Sequence, residues 1–112
     1  MKVIDLDEVR RRRAREKAAD PSYAAAKFGS AVYVLATRDT SMQERVREAA
    51  DSFSPVTEDD MPDDQARAEF AELHAGLDRD PTSMTAGDWR HLARLICDLN
   101  VTLEWHENAR GR

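Results

Sequence analysis

The sequence has few of the residues that cross-link or interrupt a chain. Among 112 residues there is one cysteine, Cys97, with only four glycines and four prolines. A single thiol excludes an internal disulfide and a zinc site built from several thiolates of one chain. The scarcity of glycine and proline leaves long uninterrupted segments. Together with abundant Ala, Arg, Glu and Leu, this scarcity favours helices over strands.

Long apolar runs are also lacking. No stretch approaches the roughly 18 consecutive apolar residues that cross a bilayer. The short apolar segment at residues 3–6 is followed by arginines, which does not resemble the centre of a signal peptide. We therefore expect a cytoplasmic protein that is not membrane-embedded, since a lone cysteine fits a reducing compartment. Only three of the 17 cationic residues are lysine, which is typical of a GC-rich bacterial genome.

The composition predicts one folded domain over residues 1–112. The apolar fraction is 41% and the charged fraction 35%, with a formal net charge of −5. These values are typical of a globular protein with a highly charged surface, and not of a disordered chain. A chain of this length supports one core, whereas two cores would each be marginal.

The longest apolar-periodic segment covers residues 85–106 and predicts the central packing helix. Thr85 and Asp88 form a capping box at its start. An alternative interpretation ends the helix at Asn100 and makes the following residues a short strand, with alternating apolar side chains over residues 101–106. In the helical interpretation, the apolar residues form one broad stripe that should contact several other helices: Trp89, Leu92, Ala93, Leu95, Ile96, Leu99 and Leu103.

Three further helices are predicted before the central one. Pro21 should begin a helix that covers residues 22–38, although the apolar run at 31–36 also fits a buried strand. Ser41 and Glu44 form a capping box for a helix over residues 42–53. Pro62 should be the first residue of a helix that ends near Leu77. The predicted inward faces are Ala24, Phe28, Ala31, Val32 and Leu35; Met42, Val46, Ala49, Ala50 and Phe53; and Ala66, Phe70, Leu73, His74 and Leu77.

The two ends of the chain are predicted to behave differently from the body. Residues 1–20 have high helix propensity but few apolar anchors, so we expect a charged helix that projects from the domain. Residues 108–112 are expected to fray. The fold class is therefore all-α, a compact bundle of four to five helices, with a short C-terminal strand as the minor alternative.

Val101 and Trp105 do not fit the central stripe. They are four residues apart, on the side of the predicted helix opposite the stripe's centre. Such a patch is covered by another helix of the same chain, contacts a partner, or is simply exposed. Large aromatic residues in exposed patches are typical of protein contacts, so these two residues are our candidate partner-contact site.

The charge run formed by Arg10, Arg11, Arg12 and Arg13 is the second candidate contact. Four consecutive helical residues point to all sides, so they cannot form one face that follows a phosphate backbone. The overall negative charge also opposes nonspecific binding to nucleic acid. We expect these arginines to be solvated, to form ion pairs in a dimer or to dock on an acidic protein, with nucleic acid as the less favoured alternative.

The residues that could do chemistry form no recognisable constellation. The acidic segment at residues 58–64 lacks the alternating ligands, glycine and terminal glutamate of a calcium loop. His74, His91 and His106 are not spaced to activate Cys97 on one helix, and no glycine-rich phosphate loop or nucleophile elbow occurs. The sequence thus predicts no catalytic, cofactor or metal site, and no enzyme.

These observations favour a non-catalytic interaction protein: a small bacterial regulator, inhibitor or accessory subunit. It would act through helix-face contacts with a protein partner, or with itself as a homodimer. The alternative is a nucleic-acid-associated protein that uses its N-terminal arginines.

Overall fold

The structure is a computed structural model that describes residues 21–110. It has four α-helices in that range: α1 (Pro21–Thr37), α2 (Met42–Ser52), α3 (Asp64–Leu77) and α4 (Ala86–Arg110). Two short 3₁₀ turns, Glu58–Asp60 and Pro81–Ser83, precede α3 and α4. The predicted all-α compact bundle is confirmed.

Both strand alternatives are wrong, because residues 31–36 lie within α1 and residues 101–106 lie within α4. A single strand at either place would leave its backbone N–H and C=O groups without a partner strand, whereas a helix pairs them internally. α4 also continues to Arg110, past residue 108, where the predicted fraying begins. The predicted projecting helix of residues 1–20 lies outside the described residues.

Helix α4 is the central element and contacts the three other helices of the described range. The stripe predicted from the sequence is buried along α4, with only Ala93 half-buried. A wide apolar stripe needs several neighbours to cover it, and here α1, α2 and α3 provide them. None of the described helices combines the length and the apolar character that crossing a bilayer requires.

Three phenylalanines from different segments meet at the centre of the core. The Phe28 ring of α1 stacks on Phe53 with centroids 4.6 Å apart, and its edge meets Phe70 of α3 at 6.2 Å. All three side chains are at least 98% buried. Offset and edge-to-face ring contacts add to the free energy of burial, so these residues hold α1, α2 and α3 together.

The predicted capping box is confirmed in full at α4, whereas at α2 the structure shows the Ser41 half of the predicted box. Ser41 Oγ accepts a hydrogen bond from the backbone N–H of Glu44 at 3.2 Å. At α4 the capping box is complete: the Thr85 N–H donates to Asp88 Oδ2 at 2.9 Å, and the Asp88 N–H donates to Thr85 Oγ1 at 3.1 Å. Each cap satisfies backbone donors that have no partner within the helix.

The predicted start of α3 is wrong by two residues. Pro62 is not its first residue, because Asp63 is the N-cap and α3 begins at Asp64. Asp63 Oδ1 accepts a hydrogen bond from the Ala66 N–H at 2.7 Å. The Asp63 carboxylate can accept a hydrogen bond from a free N–H group of the first turn, whereas a proline side chain has no acceptor.

His74 was assigned to the inward face of α3, but its side chain is exposed. Its ring lies at the border of the core, edge-on to Phe70 with centroids 4.5 Å apart. Burying a ring nitrogen without a hydrogen-bond partner costs free energy. The imidazole of His74 therefore keeps one edge in water and packs its other edge against Phe70. Leu77 is half-buried, and Ala66, Phe70 and Leu73 are buried as predicted.

Candidate interaction surface

The outward side of α4 bears exposed side chains with regular helical spacing. They include Arg94, Cys97, Val101, Glu104 and Trp105, and the exposed Arg90, Asp98 and Asn108 lie on the same face. Relative to Arg94, the next four stand at i+3, i+7, i+10 and i+11, so these five residues lie on one face of the helix. We name these five residues the α4 outer stripe. Its centre is apolar, and Arg94 and Glu104 stand towards its N-terminal and C-terminal ends.

Val101 and Trp105 are the most exposed large apolar residues of this stripe. Their side chains keep 65% and 66% of their surface in contact with solvent. Neither is therefore covered by α1, α2 or α3, so within residues 21–110 the first of the three alternatives left open by the sequence does not apply. Removing exposed apolar surface of this kind from water is favourable, so these two residues are suited to contact with another molecule.

Trp105 is supported from one side by its neighbour along the chain. The His106 ring meets the indole edge-on, with centroids 4.9 Å apart. His106 Nε2 is in turn 3.2 Å from Oδ2 of Asp63, the N-cap of α3. Hydrogen bonding from the Ala66 N–H lowers the pKa of the Asp63 carboxyl, and His106 contributes to the same shift. The end of α4 that presents Trp105 is thus attached to the start of α3.

A groove of about 400 Å³ lies beside the stripe, between α1, α2 and α4. Arg94 and Cys97 belong both to the groove and to the stripe. The remaining lining is aliphatic or thioether in character: Val32, Leu35, Ala36, Met42 and Ala93. Small side chains at positions 36 and 93 leave space between two helices that otherwise pack closely.

The groove lies where α1 and α4 run side by side. Gly29 of α1 lies against Asn100, whose Oδ1 would be 3.7 Å from a Cβ placed on the glycine. Since residues 32–36 of α1 lie beside residues 93–97 of α4, the two helices run antiparallel. α2 is held at the end of α1 by Arg45, whose Nη1 donates to the Leu35 carbonyl at 3.1 Å.

Cys97 is exposed on the groove wall, but its surroundings do not activate it. Partial burial raises the pKa of the Cys97 thiol, and the neighbouring Asp98 charge raises it further. A thiolate is the nucleophilic form, so the raised pKa makes Cys97 less reactive than a free cysteine at neutral pH.

The histidine that could have acted as a base for Cys97, His91, lies in a different groove. His91 lines a second groove, of about 340 Å³, between α3 and α4. Its Nε2 is 3.2 Å from Glu72 Oε1, and Arg79 is 3.7 Å from Asp88 in the same groove. His91, Cys97 and a carboxylate therefore do not converge on one site. Over residues 21–110, no cluster of His, Cys, Asp and Glu side chains is placed to hold a metal ion.

The structure describes part of the predicted partner-contact set. Val101 and Trp105 lie together on the α4 outer stripe, whereas Arg10, Arg11, Arg12 and Arg13 lie outside the described residues. The sequence interpretation missed Tyr33, whose side chain is 65% exposed on α1, and it missed the groove. Tyr33 was detectable, because it falls outside the apolar stripe of α1. The groove was not, since it depends on the alignment of α1 with α4.

Comparison of the chain with protein-family models, curated proteins and solved structures found no match.

Proposed function

We propose that this protein is a non-catalytic interaction protein, a small bacterial regulator, inhibitor or accessory subunit that binds another protein chain through the α4 outer stripe. The observation that carries the proposal is the exposure of Val101 and Trp105 on the helix that organises the core. Tryptophan is among the residues that most often dominate the binding free energy of protein interfaces.

The rigidity of the stripe also supports this function. α4 is buried along its opposite side and is attached to α3 through His106 and Asp63. A contact surface on such a helix loses little conformational entropy on binding, because its backbone is already ordered. The proposal includes a cytoplasmic location, which rests on the single cysteine alone.

The alternative function, association with nucleic acid, depends on Arg10, Arg11, Arg12 and Arg13. These residues lie outside the described range, and no contact of residues 21–110 favours this alternative. The net charge of −5 opposes it.

The proposal is tested by quantitative affinity isolation from host cells with the wild type and three variants. Val101→Asp and Trp105→Ala alter the stripe. Tyr23→Ala is the matched control, because Tyr23 is an exposed aromatic residue that does not line the groove. Tagged copies of the protein itself are added to the same cell extract. We expect wild type and Tyr23→Ala to retain the same bound protein chains. Both stripe variants should lose them. Equal recovery with all four proteins, each shown to be folded by circular dichroism, would contradict the proposal.

A further inference from the structure

We propose that the groove between α1, α2 and α4 is filled by residues 3–9 of the same molecule, in a segment that reverses direction at Pro21 and lies antiparallel to α1. These residues precede the described range. The inference goes beyond the proposed function and does not depend on it. It follows from three observations: the distance along α1 from Pro21 to the groove, the spacing of apolar residues in segment 3–9, and the order of charges along α4.

The groove lies at the distance from Pro21 that residues 3–9 reach. Ala36 in the groove wall is 15 residues after Pro21, and Leu6 is 15 residues before it. At a rise of 1.5 Å per residue, each is about 22 Å from the turn if both stretches are helical. The residue before a proline is disfavoured in the helical conformation, so a helix over the first 20 residues would end at Asp20. Folding back at this point brings Leu6 level with Ala36.

Segment 3–9 holds large apolar side chains that the groove can bury. Val3, Leu6 and Val9 are three residues apart, so in a helix they share one face. The residues that follow, up to Asp20, are all charged or alanine. The sequence by itself favours a projecting helix because it shows few apolar anchors. The aliphatic lining of the groove gives these anchors a surface to cover.

The charges on the groove side of α4 complement those of the segment. Because α1 and α4 run antiparallel, a segment antiparallel to α1 runs parallel to α4. In the alignment set by Pro21, Asp7 comes level with Arg94, which lines the groove. Lys17 comes level with the exposed Glu104, which is seven residues after Cys97 and so faces the same side of α4. Both pairs join opposite charges, and such pairs set the orientation of a docked segment more than its affinity.

Two further exposed charges on the outward side of α4 do not oppose this alignment. Arg90 comes level with the stretch from Lys2 to Asp5, which carries one charge of each sign. Asp98 comes level with Arg11, which is of opposite sign. It lies on the side of α4 that is turned from α1 toward α3, so its attraction for the segment acts at longer range.

Trp105 stays uncovered in this arrangement. It lies on the part of the outward face nearer α3, where the next residue, His106, is 3.2 Å from Asp63. The groove lies on the α1 side of the same face. A partner can therefore bind Trp105 while segment 3–9 fills the groove, and different measurements test the two proposals.

Cys97 reports whether the groove is filled, because its side chain forms part of the groove wall. The rate of its modification by iodoacetamide is compared, at one pH, in wild type, Leu6→Asp and Ala19→Asp. The first variant places a charge on the apolar face, whereas Ala19 lies on the opposite side of a helix and provides the matched control. We expect Leu6→Asp to raise the rate at least about tenfold and Ala19→Asp to leave it within about twofold of wild type. Equal rates in the three proteins, each shown to be folded by circular dichroism, would overturn the inference.

A crosslink locates the segment without introducing a charge into it. In Val9→Cys, a short thiol-specific crosslinker should join the new thiol to Cys97 within one molecule, because the two positions come within about one residue of the same level. Ala19→Cys is the control, since position 19 comes about 14 Å further along α4. Equally fast crosslinking of the two variants would overturn the inference. A crosslinked dimer, separated from the crosslinked monomer by electrophoresis, would also overturn it, because the segment would then fill the groove of a second copy.

Discussion

The rings of Phe28 and Phe53 stack almost parallel, with an interplanar angle of 8° and centroids 4.6 Å apart. Phe28 comes from the middle of α1, and Phe53 is the C-cap residue that follows α2. This contact joins two helices at the centre of the core. Truncating Phe28 to alanine removes the ring contacts to Phe53 and Phe70 and leaves a cavity. We expect a loss of about 3–5 kcal/mol in the free energy of unfolding, measured with urea.

The matched control for that variant is Tyr33→Ala on the same helix. The Tyr33 side chain is exposed, so its removal should change the free energy of unfolding by less than about 0.5 kcal/mol. A loss below about 1 kcal/mol for Phe28→Ala would show that the aromatic cluster is not the centre of the core.

Asp63 should stabilise α3 in a pH-dependent way. Asp63→Ala loses the N-cap and should reduce the free energy of unfolding by about 1 kcal/mol at neutral pH, whereas Asp63→Asn keeps a capping oxygen and should lose less. The pKa of Asp63 is lowered in the folded state below its ordinary 3.8. The stabilisation from its charge is therefore present above that ordinary pKa and is lost as the pH falls through the lower, folded pKa.

Urea unfolding at about pH 7 and about pH 3 tests this dependence. The advantage of wild type over Asp63→Asn should shrink at the acidic pH. Asp64→Ala is the control, because Asp64 is exposed and forms only a surface ion pair with Arg67. An advantage of wild type that is the same at both pH values would show that the charge of Asp63 is not involved.

Two glycines should respond in opposite ways to alanine. A Cβ on Gly87, in the first turn of α4, would meet Thr85 Oγ1 at an ordinary 3.6 Å. Gly87→Ala should therefore stabilise the protein by about 0.4–1 kcal/mol, because it restricts the unfolded chain. A Cβ on Gly76 of α3 would overlap the buried side chain of Leu92 on α4, which must move.

Gly76→Ala should consequently be less stable than Gly87→Ala by roughly 1–3 kcal/mol, as overpacked positions are. Thermal unfolding monitored by circular dichroism ranks the two variants against wild type. Equal melting temperatures would mean that Leu92 rotates into the adjacent α3–α4 groove without loss of packing.

Cys97 should react slowly with alkylating reagents at neutral pH. Burial and the charge of Asp98 raise its thiol pKa above the ordinary 9.0, so the thiolate is scarce in the folded protein. We expect the rate of modification by iodoacetamide to keep rising beyond about pH 9. The same chain unfolded in urea should react faster at each pH. A folded rate that levels off near neutral pH would instead indicate an activated thiol.

The N-terminal arginines provide a test of the alternative function. If they bind nucleic acid, replacing Arg10, Arg11, Arg12 and Arg13 with alanine should abolish an affinity for DNA or RNA that falls steeply with salt. Because the net charge is −5, we expect fluorescence anisotropy to detect no such binding by the wild type at physiological salt. A tight, salt-dependent complex would favour the nucleic-acid function over the proposed one.

The fold was predictable because the positions of apolar residues follow the period of a helix. The stripe that includes Trp89 and Leu103 identified α4, its buried side and its need for several neighbours. Ser41 and Thr85 identified helix starts, because a capping side chain acts on backbone groups only three residues away. Such local interactions can be inferred from the order of residues alone.

Where several local signals compete, the sequence was less informative. Pro62 and Asp63 both suit the start of α3, and the hydrogen bond from Ala66 to Asp63 decides between them. The turn between Thr57 and Asp60 was not predicted, although the Thr57 N–H donates to Asp60 Oδ2 at 2.8 Å. Asp60 is buried although it belongs to an acidic segment, and its burial depends on this turn and the packing around it.

The sequence by itself determined an all-helical bundle, the buried side of α4 and the separation of Val101 and Trp105 from that side, because each depends on helical periodicity. Only the tertiary structure decided that these two residues stay exposed, that His91 and Cys97 lie in different grooves, and that an apolar groove opens beside Cys97. These properties depend on how α1, α2 and α3 are placed around α4. That placement is set by packing among residues far apart in the chain, such as Gly29 with Asn100 and Phe28 with Phe53.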